Sequence, residues 1–488
     1  MHRLIAIFSV LIVSLGFVLA EPGLAAETLR IGVAETDITP PEGFPMAGYY
    51  HERLATGAID PLKAKAVVFD GGDCKAAWVA GDLIGISRDL CIEVRRRASA
   101  ETGIPAEHIA VSATHSHTAP DYYRDLYGYL DAKSPAEGPA PYAAKLVDGL
   151  VAAIVKANEA VQPVVVKTGS AEQQTPVSFN RRFVMKDGSV RTWQRLDNPE
   201  VVRSAGPIDP QIALALIQSA GDRKPLAVLS NFALHCDTVG GLLWSADYPA
   251  FIAKGMKEEL GEDVVSVFGN GACGDINHSD PTKTERNKTD FIGNSLAETI
   301  RPALSKLEDV EAPSLQVRFV TVDLPLQEVT GEELERAQEL MPRAKAGEKT
   351  DFFELVRAYK AAVLDRLRNK TPHPAGEYIG LGLSRHWSGL GASLPVEVMT
   401  ITLGKDLALV FVPGEIFVEL GLAVKQGSPY RTTMVIELSN CVETIYIPTR
   451  AAHAGGSYEV TNSMVVPGSG EMLVEAALRL LRESASSE

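Results

Sequence analysis

A recurring pattern constrains the fold of this chain most: short apolar runs end at a polar residue that can bind a metal or move a proton. The residues at these ends include Asp82, His115, His235, Asp275 and Glu415. In an open α/β sheet, strand ends on one edge gather at a crevice where ligands bind. Helical periodicity between the runs therefore predicts an α/β fold, a large single domain with a mixed central sheet or sheets flanked by helices. The pattern places a metal site at the C-terminal ends of the strands.

The segment at 114–120 reads Thr-His-Ser-His-Thr-Ala-Pro and follows the buried run 109–113. In an extended chain, side chains two residues apart point the same way, so His115 and His117 would share one face. Two partly buried histidines in a loop would give the same pattern. The other strand ends favour a metal site, because zinc takes nitrogen and oxygen donors and His235 and Glu415 add one of each.

Composition and charge narrow the classes of function. Of the 488 residues, 45% are hydrophobic and 22% are charged, which is typical of a soluble globular protein. The net charge of −15 argues against a nucleic-acid partner, because phosphate binding needs clustered Lys and Arg. The glycine-rich loop at 269–274 lacks the Lys of a P-loop, and the chain has no G-x-S-x-G elbow of a serine hydrolase. The sequence gives no indication of the oligomeric state.

The first 26 residues have the pattern of a signal peptide. Arg3 supplies a positive charge, residues 4–20 are apolar, and small residues offer cleavage after Ala20 or Ala26. We therefore expect an exported protein, periplasmic or secreted, with no transmembrane segment after cleavage. We expect one domain over 27–488, with a charged helical insertion at about 330–372, and an irregular polar stretch from 179 to about 207.

These motifs resemble those of the neutral/alkaline ceramidases. The segment at 114–120 is similar to the T-H-T-H-S-G-P segment of that family. Further similar motifs follow in the family's order at 36–40, Gly81-Asp82, Asn180-Arg181, 231–235, Gly274-Asp275 and 412–415, and they cover most of the mature chain.

The resemblance implies a zinc ion held by His115, His235, Glu415 and a tyrosine. Tyr446 looks like the family's tyrosine, and Tyr458 is the alternative.

The resemblance also implies the reaction. Water activated by zinc would attack the carbonyl of a linear amide in a small-molecule or lipid N-acyl substrate, such as N-acylsphingosine. His117 would handle protons beside this water, and Arg181, Asp275 and Asn277 would lie in the site.

The sequence departs from the family at two points. Asn277 stands where the ceramidases have a serine, and no immunoglobulin-like domain follows the helix predicted near the C-terminus. Two alternatives therefore stay open: a metallohydrolase of the same fold acting on another, for example carbohydrate-derived, substrate, and a catalytically silent binding protein. The presence of all three residues, His115, His235 and Glu415, argues against a catalytically silent protein.

Overall fold

The structure, a computed structural model, describes residues 29–131, 141–369 and 387–486. The predicted signal peptide at 1–26 and the end of the predicted insertion, 370–372, lie outside the described residues. No helix among the described residues is long and apolar enough to cross a membrane.

Strands are distributed along the whole described chain. In chain order they are β1 (Arg30–Asp37), β2 (Gly57–Ala58), β3 (Lys63–Asp70), β4 (Lys75–Gly81), β5 (Ile109–Ala113), β6 (Gln162–Glu172), β7 (Phe179–Asn180), β8 (Arg182–Met185), β9 (Val190–Thr192), β10 (Val201–Ser204), β11 (Gln211–Ser219), β12 (Pro225–Phe232), β13 (Leu243–Trp244), β14 (Val265–Asn270), β15 (Ile276–Asn277), β16 (Glu308–Asp309), β17 (Leu315–Pro325), β18 (Ser393–Leu403), β19 (Leu407–Phe411), β20 (Glu415–Ile416), β21 (Thr432–Ile436) and β22 (Tyr446–Ile447).

Helices separate many of these strands, as the periodicity predicts. They are α1 (Arg88–Thr102), α2 (Tyr123–Asp131), α3 (Tyr142–Glu159), α4 (Tyr248–Leu260), α5 (Thr289–Leu304), α6 (Gly331–Lys345), α7 (Phe352–Asn369), α8 (Val418–Gly427), α9 (Arg450–His453), α10 (Ser457–Thr461) and α11 (Ser469–Ser486).

Local chemistry explains where several helices begin and end. The Ser87 hydroxyl accepts a hydrogen bond from the backbone N–H of Leu90 at the start of α1, and Gly103 ends that helix with a φ of 73°. Helix α6 begins with a capping box, in which Thr330 and Glu333 satisfy each other's backbone donors. Helices α6 and α7 lie within the charged section that the sequence marks as helical.

Two mixed sheets form the centre of the fold, which confirms the predicted α/β class. The larger has nine strands in the order β14-β12-β11-β6-β1-β3-β4-β5, with β16 paired to β6. The smaller has the order β17-β18-β19-β21. The larger sheet contains two parallel pairs, β4 with β5 and β12 with β14, and the smaller contains one, β19 with β21. The carboxyl ends of these pairs supply the loops of the site.

The sheets pack face to face, and helices cover their outer faces. Trp78 on β4 contacts Phe411 on β19 across the interface, with ring centroids 5.8 Å apart. Helices α1, α3, α4 and α5 cover the larger sheet, and α7, α8 and α11 cover the smaller one. Full burial of one large apolar side chain is worth about 1.5–3 kcal/mol. The buried side chains between the two sheets therefore fix the position of one set of strand ends relative to the other.

A polar bond also ties the two sheets together close to the site. The Asn231 amide, buried in β12, donates to the Gly269 carbonyl over 2.9 Å and to the Val435 carbonyl on the other sheet over 2.8 Å. The two sheets therefore end at one shared edge.

The expectation of an irregular stretch from 179 to 207 is wrong. Strands β8, β9 and β10 form a small antiparallel sheet, and β7 pairs with β15. Strands β8, β9 and β10 are only three or four residues long, and their sequences, RFVM, VRT and VVRS, mix polar with apolar residues. Periodicity alone therefore does not reveal them.

Candidate metal centre

His115 reaches the site by a turn of the backbone and not by continuation of the strand. Strand β5 ends at Ala113, and His115 has a φ of 75°, so the expected extended geometry of the pair is wrong. A positive φ is uncommon for a residue other than glycine, and here two bonds hold it. The backbone N–H of His115 donates to Leu83 over 2.9 Å, and its Nδ1 lies 2.7 Å from the carbonyl of Ile84.

Three histidine rings meet at this edge of the sheets. The ring of His115 lies 4.9 Å from that of His117 and 4.6 Å from that of His235, measured between centroids. Potential ligand atoms of all three lie within 4.8 Å of one another. His115 and His235 are buried, and His117 is half-buried.

Backbone carbonyls fix the tautomer of each ring. The Nδ1 atoms of His117 and His235 lie 3.1 Å from the carbonyl of Gly48 and 2.8 Å from that of Cys273. A carbonyl only accepts, so each Nδ1 carries the proton, as the Nδ1 of His115 does towards Ile84. Each Nε2 is left with a lone pair, as in metal-ligating histidines. The Nε2 atoms of His115 and His117 lie 3.4 Å apart, and that of His235 lies 3.2 Å from Oε2 of Glu415.

Glu415 completes the cluster from β20, which follows β19 along the chain and pairs with β22. Its Oε2 lies 3.4 Å from Nε2 of His115 and 3.2 Å from Nε2 of His235. The approach of its strand depends on Gly414, which has a φ of 60° and whose missing Cβ would lie 2.0 Å from the Thr444 hydroxyl.

The donor set fits a metal ion. Ligand bonds of 2.0–2.1 Å in a tetrahedral zinc site place the ligand atoms about 3.3 Å apart. The distances of 3.4 and 3.2 Å from Oε2 of Glu415 to Nε2 of His115 and of His235 match this spacing. The buried Oε2 of Glu415 receives no hydrogen bond. Apart from the Arg181 guanidinium, which lies 3.2 Å from Nε2 of His235, no donor among the described residues reaches these acceptors, so a cation would satisfy them.

The pKa shifts of Glu415, His117 and His235 favour the deprotonated forms that can bind a metal, and that of His115 has the opposite sign. Burial would raise the pKa of Glu415, but His115 and His235 hold it well below its usual range. Burial lowers the pKa of His117 to about 3, and burial followed by the charge of Arg181 lowers that of His235. For His115, burial lowers the pKa but the Glu415 carboxylate overrides it, so the pKa is raised.

Arg181 connects the cluster to the surrounding loops. Its Nη1 donates to Nε2 of His235 over 3.2 Å, and its Nη2 donates to the Tyr446 hydroxyl over 3.1 Å and to the Gly274 carbonyl over 2.9 Å. Its Nε donates to Oε1 of the fully buried Glu459 over 2.8 Å. The guanidinium is therefore fixed, and it holds the phenol of Tyr446 beside His235.

The two candidate tyrosines have different surroundings. Tyr446 is buried, pairs with Glu415 in the parallel strands β20 and β22, and receives a bond from Arg181. Burial, followed by the charge of Glu415, raises its pKa well above 10 in the protein alone. Tyr458 is half-buried, and its hydroxyl pairs with that of Tyr50. The structure therefore brings Tyr446, rather than Tyr458, to the ligand cluster.

Asp275 and Asn277 lie in the loop that packs against Glu415. The oxygens of Asp275 accept from the Asn180 amide over 2.7 Å and from the backbone N–H of Val418 over 2.9 Å, and burial raises its pKa to about 6. With both oxygens engaged, Asp275 ties this loop to helix α8. The Oδ1 of Asn277 accepts from the backbone N–H of Ser279 over 3.1 Å.

A row of aromatic rings leads from the surface to the cluster, and the sequence analysis did not identify it. Trp193 is 47% exposed, has a φ of 60°, and its backbone N–H donates to the Arg181 carbonyl over 2.8 Å. Its ring lies 4.8 Å from that of Tyr458, which stacks with Phe352 and lies 5.7 Å from Tyr446. These rings come from separate strands and helices, so no local motif marks them.

The sequence analysis also missed a pair formed by an aspartate and a histidine near the site. Asp237 follows His235 by two residues, and its Oδ1 lies 2.9 Å from Nδ1 of His278. The only signal in the sequence is a carboxylate close to a predicted ligand.

Known proteins match this chain in sequence and in fold. Residues 29–277 match the family described as neutral/alkaline non-lysosomal ceramidase, N-terminal. The neutral ceramidase A of Dictyostelium discoideum is 26% identical over 276 residues, which are 53% of this chain and 36% of that protein. The chain thus matches about a third of that relative's length.

Two solved structures share the fold. The crystal structure of neutral ceramidase from Pseudomonas aeruginosa has a TM-score of 0.66 at 20% identity and matches 93% of this chain and 75% of its own. A ceramidase complexed with C2 has a TM-score of 0.66 at 19% identity, with 94% and 76% of the two chains covered.

Proposed function

Because the chain belongs to the neutral/alkaline non-lysosomal ceramidase family, we propose that it is a zinc-dependent hydrolase of linear amides in N-acyl substrates. The observation that carries the proposal is the cluster of acceptor atoms formed by Nε2 of His115, Nε2 of His235 and Oε2 of Glu415. These three residues and Tyr446 would hold the zinc ion. Bound zinc supplies a Lewis acid that polarises a carbonyl and lowers the pKa of water to about 7.

The residues around the cluster suit amide hydrolysis. His117 carries its proton on Nδ1, which faces the Gly48 carbonyl, so the lone pair on its Nε2 can accept a proton from water next to the cluster. The fixed guanidinium of Arg181 places a positive charge where negative charge develops on the substrate oxygen. Glu459 and the Gly274 carbonyl keep that guanidinium oriented.

The chain offers no serine nucleophile at the position where the family has one. The amide of Asn277 has no ionisable proton, and its Oδ1 is engaged by its own loop. Attack by water is therefore the proposed route, and Asn277 acts in positioning.

The aromatic row supports a substrate with an apolar acyl chain. Trp193, Phe352 and Tyr458 present ring faces between the surface and Tyr446, and apolar chains bind such surfaces through burial. N-acylsphingosine is a substrate of this class. In our proposal, residues 27–488 form this hydrolase domain and residues 1–26 direct its export.

A panel of substrates tests the proposal. Purified protein loaded with zinc is incubated with a ceramide, with N-acyl alkylamines of short and long acyl chains, and with an acetylated amino sugar, and the released acid is measured. We expect release from the N-acyl amines and none from the Glu415→Ala variant. Release from the acetylated sugar alone would move the substrate class to carbohydrate, and release from no member would contradict the proposed activity.

Trp193→Ala tests the assignment of the acyl chain, with Phe319→Ala as a matched control. Phe319 is a similarly exposed ring on β17, in the smaller sheet. We expect Trp193→Ala to raise KM for long acyl chains and to leave short ones nearly unchanged.

A further inference from the structure

The pair of Asp237 and His278 lies beside the histidine cluster and has no place in the reaction described so far. The Oδ1 of Asp237 lies 2.9 Å from Nδ1 of His278, which orients the imidazole in its plane. About a quarter of the Asp237 side chain is exposed, and the His278 side chain is 3% exposed. The imidazole of His278 is therefore buried, and part of the Asp237 side chain reaches the solvent.

Two connections place the pair at the metal centre. Asp237 follows His235 by two residues, and the backbone N–H of His117 donates to the carbonyl of the intervening Cys236 over 3.0 Å. His278 directly follows β15, which pairs with β7, and β7 leads directly into Arg181. The pair is thus attached to the same short strands that position the guanidinium at His235.

The second nitrogen of His278 is available. Among the described residues, Nε2 of His278 has no hydrogen-bond partner. It does not belong to the fully buried polar atoms that lack a partner, so it must be in part accessible to solvent. A histidine with Nδ1 on a carboxylate and a free Nε2 towards a cleft has the geometry of a general acid or base.

The Asp237 carboxylate holds the ring of His278 in one orientation through its contact with Nδ1. An ionised Asp on Nδ1 fixes the tautomer of the ring and stabilises the imidazolium.

We propose that His278, oriented by Asp237, is the general acid that protonates the leaving amine. The inference rests on the proposed amide hydrolysis. The water oxygen bonds to the carbonyl carbon while one water proton passes to His117. The C–N bond breaks as the Nε2 proton of His278 moves to nitrogen. The products are a carboxylic acid and an amine, and one proton passing through solvent from His117 to His278 restores both rings.

A general acid matters for an amide and little for an activated ester. An alkylamine leaves only after protonation, whereas p-nitrophenolate leaves as the anion. The test compares the parent with His278→Gln and Asp237→Asn on an N-acyl alkylamine and on the p-nitrophenyl ester of the same acid, with zinc content measured for each protein. His108→Gln, a half-buried histidine whose Nδ1 faces the Lys75 carbonyl, is the matched control.

We expect both variants to lose about a hundredfold or more on the amide, with little change on the ester and in zinc content. Equal losses on both substrates, no loss on the amide, or loss of zinc would overturn the role of the pair. Because Asp237 is partly exposed, Asp237→Asn keeps the test valid if His278→Gln does not fold. A parent that cleaves neither substrate would contradict the proposed function itself, and this outcome is distinct from the others.

Discussion

Glu415 and Tyr446 are register partners in the parallel pair of β20 and β22. Directly paired residues of parallel strands have side chains on the same side of the pair. The two residues lie far apart in sequence, yet this pairing brings both to the histidine cluster.

This pairing predicts which tyrosine acts at the metal centre. Tyr446→Phe should weaken zinc binding or slow turnover, because it removes the hydroxyl that Arg181 holds beside His235. Tyr458→Phe, the matched control, removes a hydroxyl that pairs with Tyr50 and should change either property little. Zinc affinity and kcat of the two variants are the measurements, and the reverse ranking would assign the ligand to Tyr458.

The division between ligands and the proton acceptor is a second prediction. Replacing His115, His235 or Glu415 by Ala should remove zinc and activity together, because each supplies an atom at ligand spacing. His117→Ala should retain more zinc and mainly lower kcat. Elemental analysis and turnover on the same preparations measure both. If His117→Ala loses zinc as completely as His115→Ala, then His117 is a ligand.

Asn277 tests whether the reaction needs a serine. If water attacks, Asn277→Ser should keep turnover within about tenfold, a change of roughly 1.4 kcal/mol in the barrier. The reason is that neither side chain forms a bond to the substrate. A rise of several orders of magnitude, with burst kinetics that the parent lacks, would contradict attack by water and show that the parent is a weakened enzyme or a binding protein.

Buried Glu443 gives a prediction for stability. Burial raises its pKa from 4.5 to about 7, so the folded state holds this proton more tightly than the unfolded state. The stability from the protonated form is complete below about pH 4.5 and is lost as pH rises through 7. Between pH 4.5 and 8, metal-free parent should lose up to about 3 kcal/mol relative to Glu443→Gln. Urea unfolding at both pH values measures this, and a constant difference would contradict it.

The sequence predicted the general position of the centre because strand ends carry a strong local signal. His115, His235 and Glu415 each follow an apolar run, and parallel strands collect such ends at one edge. The same reasoning from strand ends could not decide between Tyr446 and Tyr458, because that choice depends on the pairing of β20 with β22. Such pairing is tertiary and leaves no periodic pattern.

Two other features show the same limit. The turn at His115, with a φ of 75°, depends on bonds to Leu83 and Ile84 from a distant loop. The pair of Asp237 and His278 joins two loops whose sequences contain no motif. Features that depend on contacts between distant segments became visible only in the folded structure.

The most direct test of the account is a zinc titration of metal-free protein, followed by hydrolysis of an N-acyl alkylamine. The account predicts that activity is absent without metal, rises linearly with added zinc and stops rising at about one equivalent per chain. Glu415→Ala should show no rise at any zinc level. Full activity in the metal-free protein, or zinc that binds without producing any amide hydrolysis, would contradict a zinc-dependent amide hydrolase.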